Sequence, residues 1–468
     1  MSAEKGKLDT LYLVKWAVIV LLGIIVACIP FTAIFTLQIK IFCVITVVCI
    51  FMFALGVFDS PLVPSLILIF AYSYMTDLTT ATSGFGKDAP WICISVLLMV
   101  GVMEKTNILK RMTYNVVLLC GGSYIGICLG FYILGFVLCF LGNNMCLGLC
   151  ALAYGMIKSL DLGDSRASAG IMFAAFNGIT EGAILIMDPT APGFLFGMAA
   201  TAIENTSTTF TYFDYFKNNL AWIPFFVIFF IIGVLMFKPK KGEDSKLTQG
   251  KAFFRAEKAK LGQFTKDEIK LTVIAVLLLV YLLTTGLTGL GMVYGFIGAV
   301  ILMFLPGIRM GTREDIKKVN FAFPIFMVAC IAIGTVATSV GLGDMLTALM
   351  TPVLNGMSKV GFLAMVYVIV FILNIFMTPM AIYASMIAPM CMMGSSILGF
   401  TNAWPIVMTI MLGAMNIVLP HENNSALYMY SLGVTKMKDF VKLFTVKTIL
   451  TFGWLFVMIA YWSAIGLM

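Results

Sequence analysis

Uncharged apolar runs long enough to cross a bilayer recur from one end of the chain to the other. The first three cover about 16–37, 39–57 and 61–76, and a fourth starts at Trp91 and ends at the charged cluster Glu104, Lys105, Lys110 and Arg111. The stretch 113–237 is then almost continuously apolar. It is interrupted by Gly142-Asn143-Asn144, by Gly178 to Gly182 and by Asp188-Pro189-Thr190. A helical span takes about 20 apolar residues, so 468 residues leave room for roughly ten to twelve crossings. The pattern predicts an all-α polytopic membrane protein.

The longest polar segment, 238–270, carries ten Lys/Arg against five Asp/Glu. By the positive-inside bias it is expected on the cytoplasmic side, as a linker with a short amphipathic helix. The second half then replays the first. Apolar runs near 270–286 and 290–305 lead to a run from Phe321. The string from Ser339 to Met345 falls where Thr106 to Met112 falls in the first half. A further long run is broken at Thr378-Pro379-Met380 and again at Pro420-His421-Glu422-Asn423-Asn424-Ser425. Each half thus has one polar break about 35–45 residues before a second. An odd number of intervening spans would invert one half relative to the other. Paired interruptions at matching positions are the best sequence pointer to a transporter's binding site.

Composition agrees: 61% of residues are hydrophobic and 11% charged, with a mean hydropathy of +1.03. No large hydrophilic domain exists to serve as a soluble head. The net charge of +8 resides in short inter-helix segments, a topology bias and not a nucleic-acid footprint. The eleven cysteines lie in apolar runs without metal-ligand partners and read as small packing residues. Glu104, Lys105, Lys110 and Arg111 read as solvated anchors at a membrane boundary. Asn205 and Asn423 begin Asn-x-Ser strings, but these are not read as glycosylation sites. Neither a phosphate-binding glycine loop nor a His-Glu-x-x-His motif nor a nucleophile elbow is present. With a single histidine, His421, a histidine-rich metal site is excluded, and no catalytic residue or cofactor is expected. The first apolar stretch lacks a small-residue cleavage site and is expected to be a retained span.

Backbone in hydrocarbon must satisfy its own hydrogen bonds, so broken helices survive only where they line a cavity or are buried in protein. A break exposes half-helix ends at membrane depth: free N–H groups attract anions and free carbonyls attract cations. Breaks meeting near the midplane would make a site for an anionic solute and a coupling cation. The alternative is that Gly, Pro and Asn kink helices for packing alone.

At the breaks the sequence resembles the divalent anion:sodium symporter family, which includes di- and tricarboxylate, citrate and sulfate carriers. The stretch Pro420 to Gly433, followed by Val434 to Phe440, has the spacing of the family's C-terminal signature. Phe140 to Leu149 resembles its first hairpin tip, and Leu373 to Ile382 occupies the second. The similarity covers roughly 40–468. It implies about 11 transmembrane helices plus two re-entrant hairpins in an inverted repeat, with scaffold and transport domains in each protomer of a homodimer. Scaffold helices would come from 1–120 and 271–357 and transport elements from 121–237 and 358–468, joined by the cytoplasmic linker 238–270. Substrate would lie between the hairpin tips and the broken helices and cross by an elevator motion.

The chain departs from the family where chemistry is expected. Asn143 or Asn144 retains an amide oxygen for a first Na⁺, with Gly142 beside them. At the second tip Thr378, Pro379 and Met380 replace the matching asparagine. Na⁺ prefers oxygen ligands, so this puts the second sodium site in question. Glu181 enters the first broken helix and His421-Glu422 the second, where relatives have small or neutral residues. Charged side chains at the bilayer centre are costly and functional by default. Glu181 and Glu422 are open to titrating as proton couplers, to ligating Na⁺, to facing a substrate ammonium, and to a structural role in pairing with His421 or capping a half-helix. Asp188, before a proline, is a second-rank candidate.

The substrate-binding candidates are therefore Asn143, Asn144, Thr180, Glu181, Thr378, His421, Glu422, Asn423 and Asn424. The ion-coupling candidates are Gly142, Asn143, Asn144, Gly178, Glu181, Thr378 and Glu422. The expected function is secondary active transport of a small organic anion of the di- or tricarboxylate kind, coupled to Na⁺ or protons. Carboxylate exchange, proton-coupled carriage of a zwitterion and cation/proton antiport are the alternatives. The expected partners are the solute, the lipid bilayer and a second copy of the chain. The polar linker, short termini and lack of a targeting segment suggest a bacterial inner membrane.

Overall fold

Long apolar runs separated by short polar turns give helices and no strand among the described residues. The computed structural model describes residues 10–58, 60–103, 105–121, 123–142, 145–189, 192–203, 210–239 and 250–468. The first half runs through α1 (Thr10–Cys28), α2 (Leu37–Ala54), α3 (Leu62–Met75), α4 (Asp88–Met103), α5 (Ile108–Leu119), α6 (Tyr124–Leu138), α7 (Met145–Ser159) and α8 (Arg166–Leu185). A π-helical turn, Pro192–Phe196, continues as the short half-helix Gly197–Ala199, before α9 (Tyr212–Asn218) and α10 (Ile223–Met236). The linker contributes α11 (Gly250–Lys260). The second half runs through α12 (Lys266–Thr288), α13 (Met292–Phe304), α14 (Arg313–Lys318), α15 (Ala322–Ser339), α16 (Leu342–Leu354), α17 (Lys359–Asn374), α18 (Pro379–Leu398), α19 (Trp404–Ala414), α20 (Asn424–Ser431) and α21 (Met437–Ala464). Hydroxyl caps start several of them: Ser123, Ser165 and Ser358 each accept a first-turn N–H, satisfying donors the helix cannot.

Among the described residues six helices, α2, α8, α12, α15, α18 and α21, are long and apolar enough to cross a membrane. Counting the bent pairs 88–119 (79°), 212–236 (59°) and 342–374 (109°) as one span each gives up to nine. The remaining apolar helices are shorter. At 15 residues, α6 and α7 each reach only about 22 Å against a hydrocarbon thickness of about 30 Å. They suit the arms of a re-entrant hairpin.

The two halves pack as a repeat. In the first, α8 lies across both arms of the α6–α7 hairpin; in the second, α19 lies across both arms of α17–α18. The halves also exchange partners. Helix α3 packs on α15 while α13 packs on α4, and the half-helix Gly197–Ala199 packs on α18 while α20 packs on α7. Such reciprocal contacts are what an inverted repeat generates.

Two sequence expectations need correction. The string Gly178 to Gly182 is no break: α8 runs through it without interruption. Its glycines instead admit a close approach of α6. A Cβ on Gly178 would stand 2.5 Å from the Tyr132 carbonyl oxygen, one on Gly182 2.9 Å from Cys139 Sγ, and one on Gly135 2.8 Å from the Gly178 backbone. Small residues at such crossings let membrane helices pack backbone to backbone. The first-half break falls later, at 186–189, after α8 ends at Leu185.

Arg111, expected as a solvated anchor, is buried. Its Nε meets Glu268 Oε1 at 3.0 Å, and its other nitrogens donate to the carbonyls of Leu261, Gly262 and Gln263 at 2.7–2.8 Å. Glu268 in turn closes a capping box with Thr265 at the start of α12. The amphipathic linker helix is present as α11, which packs on α5. Arg111 thus fastens the linker's end to the first half.

Candidate functional site

Each half brings a hairpin turn up to a break in a neighbouring helix. In the first half the turn after α6 contains Gly142, whose φ of +95° is open to glycine and strained for other residues. A Cβ there would lie 3.6 Å from Asp188 Oδ2, so Asp188 of the break sits beside the hairpin turn. Asn143, Asn144 and Thr190 lie outside the described residues, as do Glu104 and Asn205. Tyr215 lines the same region: its hydroxyl donates to the Ala183 carbonyl at 3.3 Å near the end of α8. Gly178 and Thr180 lie inside α8, away from the break. The Thr180 hydroxyl donates back to the Phe176 carbonyl at 3.3 Å.

In the second half the turn 375–378 between α17 and α18 meets the break 415–423 between α19 and α20. Thr378 is the half-buried N-cap residue of α18 and makes no side-chain cap bond. His421 is exposed, and its Nε2 lies 3.3 Å from the Ile375 carbonyl oxygen, tying the break to the hairpin turn. Glu422 is buried and folds onto its own break. Its Oε2 accepts from the Val418 N–H at 2.9 Å and from Asn374 Nδ2 at 3.5 Å, and its Oε1 accepts from the Leu419 N–H at 3.0 Å. Two main-chain donors freed by the break are satisfied this way. Asn423 caps α20 through the N–H groups of Ser425 and Ala426, and Asn424 is exposed at the head of that helix. Of the roles open to Glu422, its geometry fits the capping one; Asn423, a substrate-binding candidate, is also a helix cap.

Sequence reasoning missed four residues that knit this region together. Asn374, the last residue of α17, donates from Nδ2 to the Asn416 carbonyl at 2.9 Å. It supplies an asparagine at the second tip after all, four positions before Thr378. Asn416 donates from Nδ2 to the Leu412 carbonyl at 2.9 Å and to the Tyr367 hydroxyl at 2.6 Å. The amide oxygens of Asn374 and Asn416 are buried and accept no hydrogen bond.

The fourth is Lys447, in the first half of α21. Its ammonium lies 2.5 Å from Glu181 Oε1 and 3.2 Å from the Met415 carbonyl oxygen, with both charged side chains almost fully buried, at 4% and 1% exposure. Met415 caps the C-terminal end of α19, where unpaired carbonyls concentrate partial negative charge. One lysine therefore joins the long helix of the first half, the break of the second and the last helix. A Lys carried past Lys442 into the apolar part of the last helix, and a lone Glu inside the apolar run of α8, were the available signal. Reading all basic residues as inter-helix topology markers concealed it. Among the described residues no three His, Cys, Asp or Glu side chains converge to hold a metal.

Comparison with known proteins identifies the family and the fold. The family described as the sodium:sulfate symporter transmembrane region matches residues 7–468. No curated protein sequence matches the chain. The fold is similar to that of the Alcanivorax borkumensis YdaH transporter, described as having an unusual topology. That match has a TM-score of 0.53 at 13% identity and covers 98% of this chain and 99% of that one. It is also similar to Neisseria gonorrhoeae MtrF, described as illuminating a class of antimetabolite efflux pumps. There the TM-score is 0.53 at 12% identity, over 97% of this chain and 94% of that one. With the family match running from residue 7 to the last, the chain belongs to the sodium:sulfate symporter family and is a multi-pass membrane transporter, not an enzyme.

Proposed function

We propose that this transporter carries a small carboxylate-bearing organic anion by secondary active transport, coupled to Na⁺ or protons. The observation that carries the reading is the meeting, in each half, of a hairpin turn with a helix break: Gly142 with Asp188, and Ile375 with His421. Irregular backbone at that depth is tolerated where it lines a cavity. Freed N–H groups at half-helix starts suit a carboxylate.

The moving part would comprise 121–237 and 358–468, sliding as an elevator against 1–120 and 271–357 within a homodimer. The test is uptake of labelled di- and tricarboxylates into proteoliposomes under a sodium gradient, a proton gradient or internal unlabelled solute alone. Uptake driven by either gradient supports the reading, and no organic solute uptake under any condition refutes it. One observation favours exchange as the second reading. Lys447 already holds a fixed positive charge at the second break, which leaves less work for a transported cation.

A further inference from the structure

The Glu181–Lys447 pair is costly to place where it is. Two charges withdrawn from water are repaid by their attraction only when the geometry is good and the remaining donors and lone pairs are satisfied. Here they are not all satisfied: Glu181 Oε2 is buried without a hydrogen-bond donor, as are the nearby amide oxygens of Asn374 and Asn416. The ammonium has, besides Glu181, the Met415 carbonyl at 3.2 Å and the Phe444 ring centroid at 5.9 Å. It therefore sits against a carboxylate and the open C-terminal end of a half-helix. That is the environment a coupling cation would seek, with an amine in it already.

We propose that Lys447 is a tethered cation: its ammonium takes, at the second break, the place of a free metal cation, so that this transporter runs with no Na⁺ bound there. The inference deepens the reading of the breaks as a transport site and rests on it. Lys447 belongs to a continuous 28-residue helix, so the charge is built in and is not released at each turnover. A sodium ion entering beside it would face like-charge repulsion in a low-dielectric setting. Glu181 balances the lysine, and the pair together adds no net charge to the moving part. Any sodium coupling is then left to the first break.

The test is ²²Na⁺ binding to the purified, detergent-solubilised protein, without any solute, so that it succeeds or fails whatever the transported anion is. Wild type is expected to bind at most one Na⁺ per protomer. Lys447→Ala, which frees Glu181 and the Met415 carbonyl, is expected to bind one more than wild type. The double variant Glu181→Gln/Lys447→Ala is expected to lose that extra ion. In parallel, Lys447→Ala should melt several degrees higher in NaCl than in choline chloride, and the double variant equally in both. Equal Na⁺ counts in wild type and Lys447→Ala overturn the proposal, as does an extra ion retained by the double variant. Should Lys447→Ala fail to assemble, the wild-type count still decides: two Na⁺ per protomer contradicts a tethered cation, and one or none agrees with it.

Discussion

Removing one member of the Glu181–Lys447 pair is the most informative single perturbation of this fold. The two side chains are 2.5 Å apart and almost wholly buried. A solvated pair of this kind contributes about 0–1 kcal/mol. A buried one behaves differently, because Glu181→Gln leaves the lysine uncompensated and Lys447→Met leaves the carboxylate so, each at about 3–5 kcal/mol. Exchanging both for neutral groups of similar shape, as in Glu181→Gln/Lys447→Met, removes the attraction and the desolvation cost together and is expected to fall within about 1 kcal/mol of wild type. The singles should therefore sum to about 6–10 kcal/mol while the double loses almost nothing, a coupling of several kcal/mol. The assay is a double-mutant cycle of unfolding in detergent against SDS, followed by tryptophan fluorescence; Trp222, Trp404 and Trp462 are fully buried reporters. Additive effects, or singles that each cost less than about 1 kcal/mol, would refute the claim that these charges depend on one another.

Other consequences are as direct. Gly178→Leu should prevent α6 from seating on α8 and abolish the monodisperse folded species on size exclusion; Gly233→Ala, with nothing within 4 Å of its new Cβ, should be neutral or stabilising by up to about 1 kcal/mol. Arg111→Met should strand buried Glu268, cost on the order of 3 kcal/mol and speed proteolysis near 261–263, where three carbonyls lose their donor. For Asp315, on α14 outside the spans, burial pushes the carboxyl up, but the Lys105 ammonium and the Thr312 hydroxyl and N–H outweigh it and hold it below the ordinary carboxylate range. A depressed folded value means this contribution is complete above about pH 4 and is lost as pH falls through the lowered value. Since Lys105 is partly exposed, the effect stays below about 1 kcal/mol; the melting difference between wild type and Asp315→Asn should shrink on going from pH 6 to pH 3. Glu422→Gln keeps one acceptor where Val418 and Leu419 present two N–H groups, and should cost about 1–3 kcal/mol for the orphaned donor.

Much of the architecture is legible in the sequence because a bilayer imposes a coarse rule. Apolar length gives the spans, and polar interruptions at Gly142, Asp188, Thr378 and Pro420 give the breaks. The Gly178–Gly182 string fails that rule for a physical reason. In water such glycines would weaken a helix, but in a membrane the backbone has no competing partner, so the helix persists and the missing side chains serve packing. Arg111 and Lys447 were illegible for another reason. Each is defined by partners more than 140 positions away, Glu268 for one and Glu181 for the other, and no local periodicity reports such a meeting. Asn374 lay inside the aligned tip, Leu373 to Ile382, but escaped because the polar break was read at Thr378 to Met380, whereas its amide acts from the last turn of α17.

The account stands most directly on one measurement: saturable uptake of labelled carboxylates into proteoliposomes by wild type, Gly142→Val and Asn374→Ala, at matched protein content. Gly142→Val forces a branched side chain into a backbone at φ +95° beside Asp188, and Asn374→Ala removes the amide that holds the second break to its hairpin. The account predicts saturable carboxylate uptake by wild type that falls at least about tenfold in each variant, a loss of about 1.4 kcal/mol or more in transition-state stabilisation. Undiminished carboxylate uptake by both variants, or wild-type transport confined to solutes without a carboxylate, would contradict it.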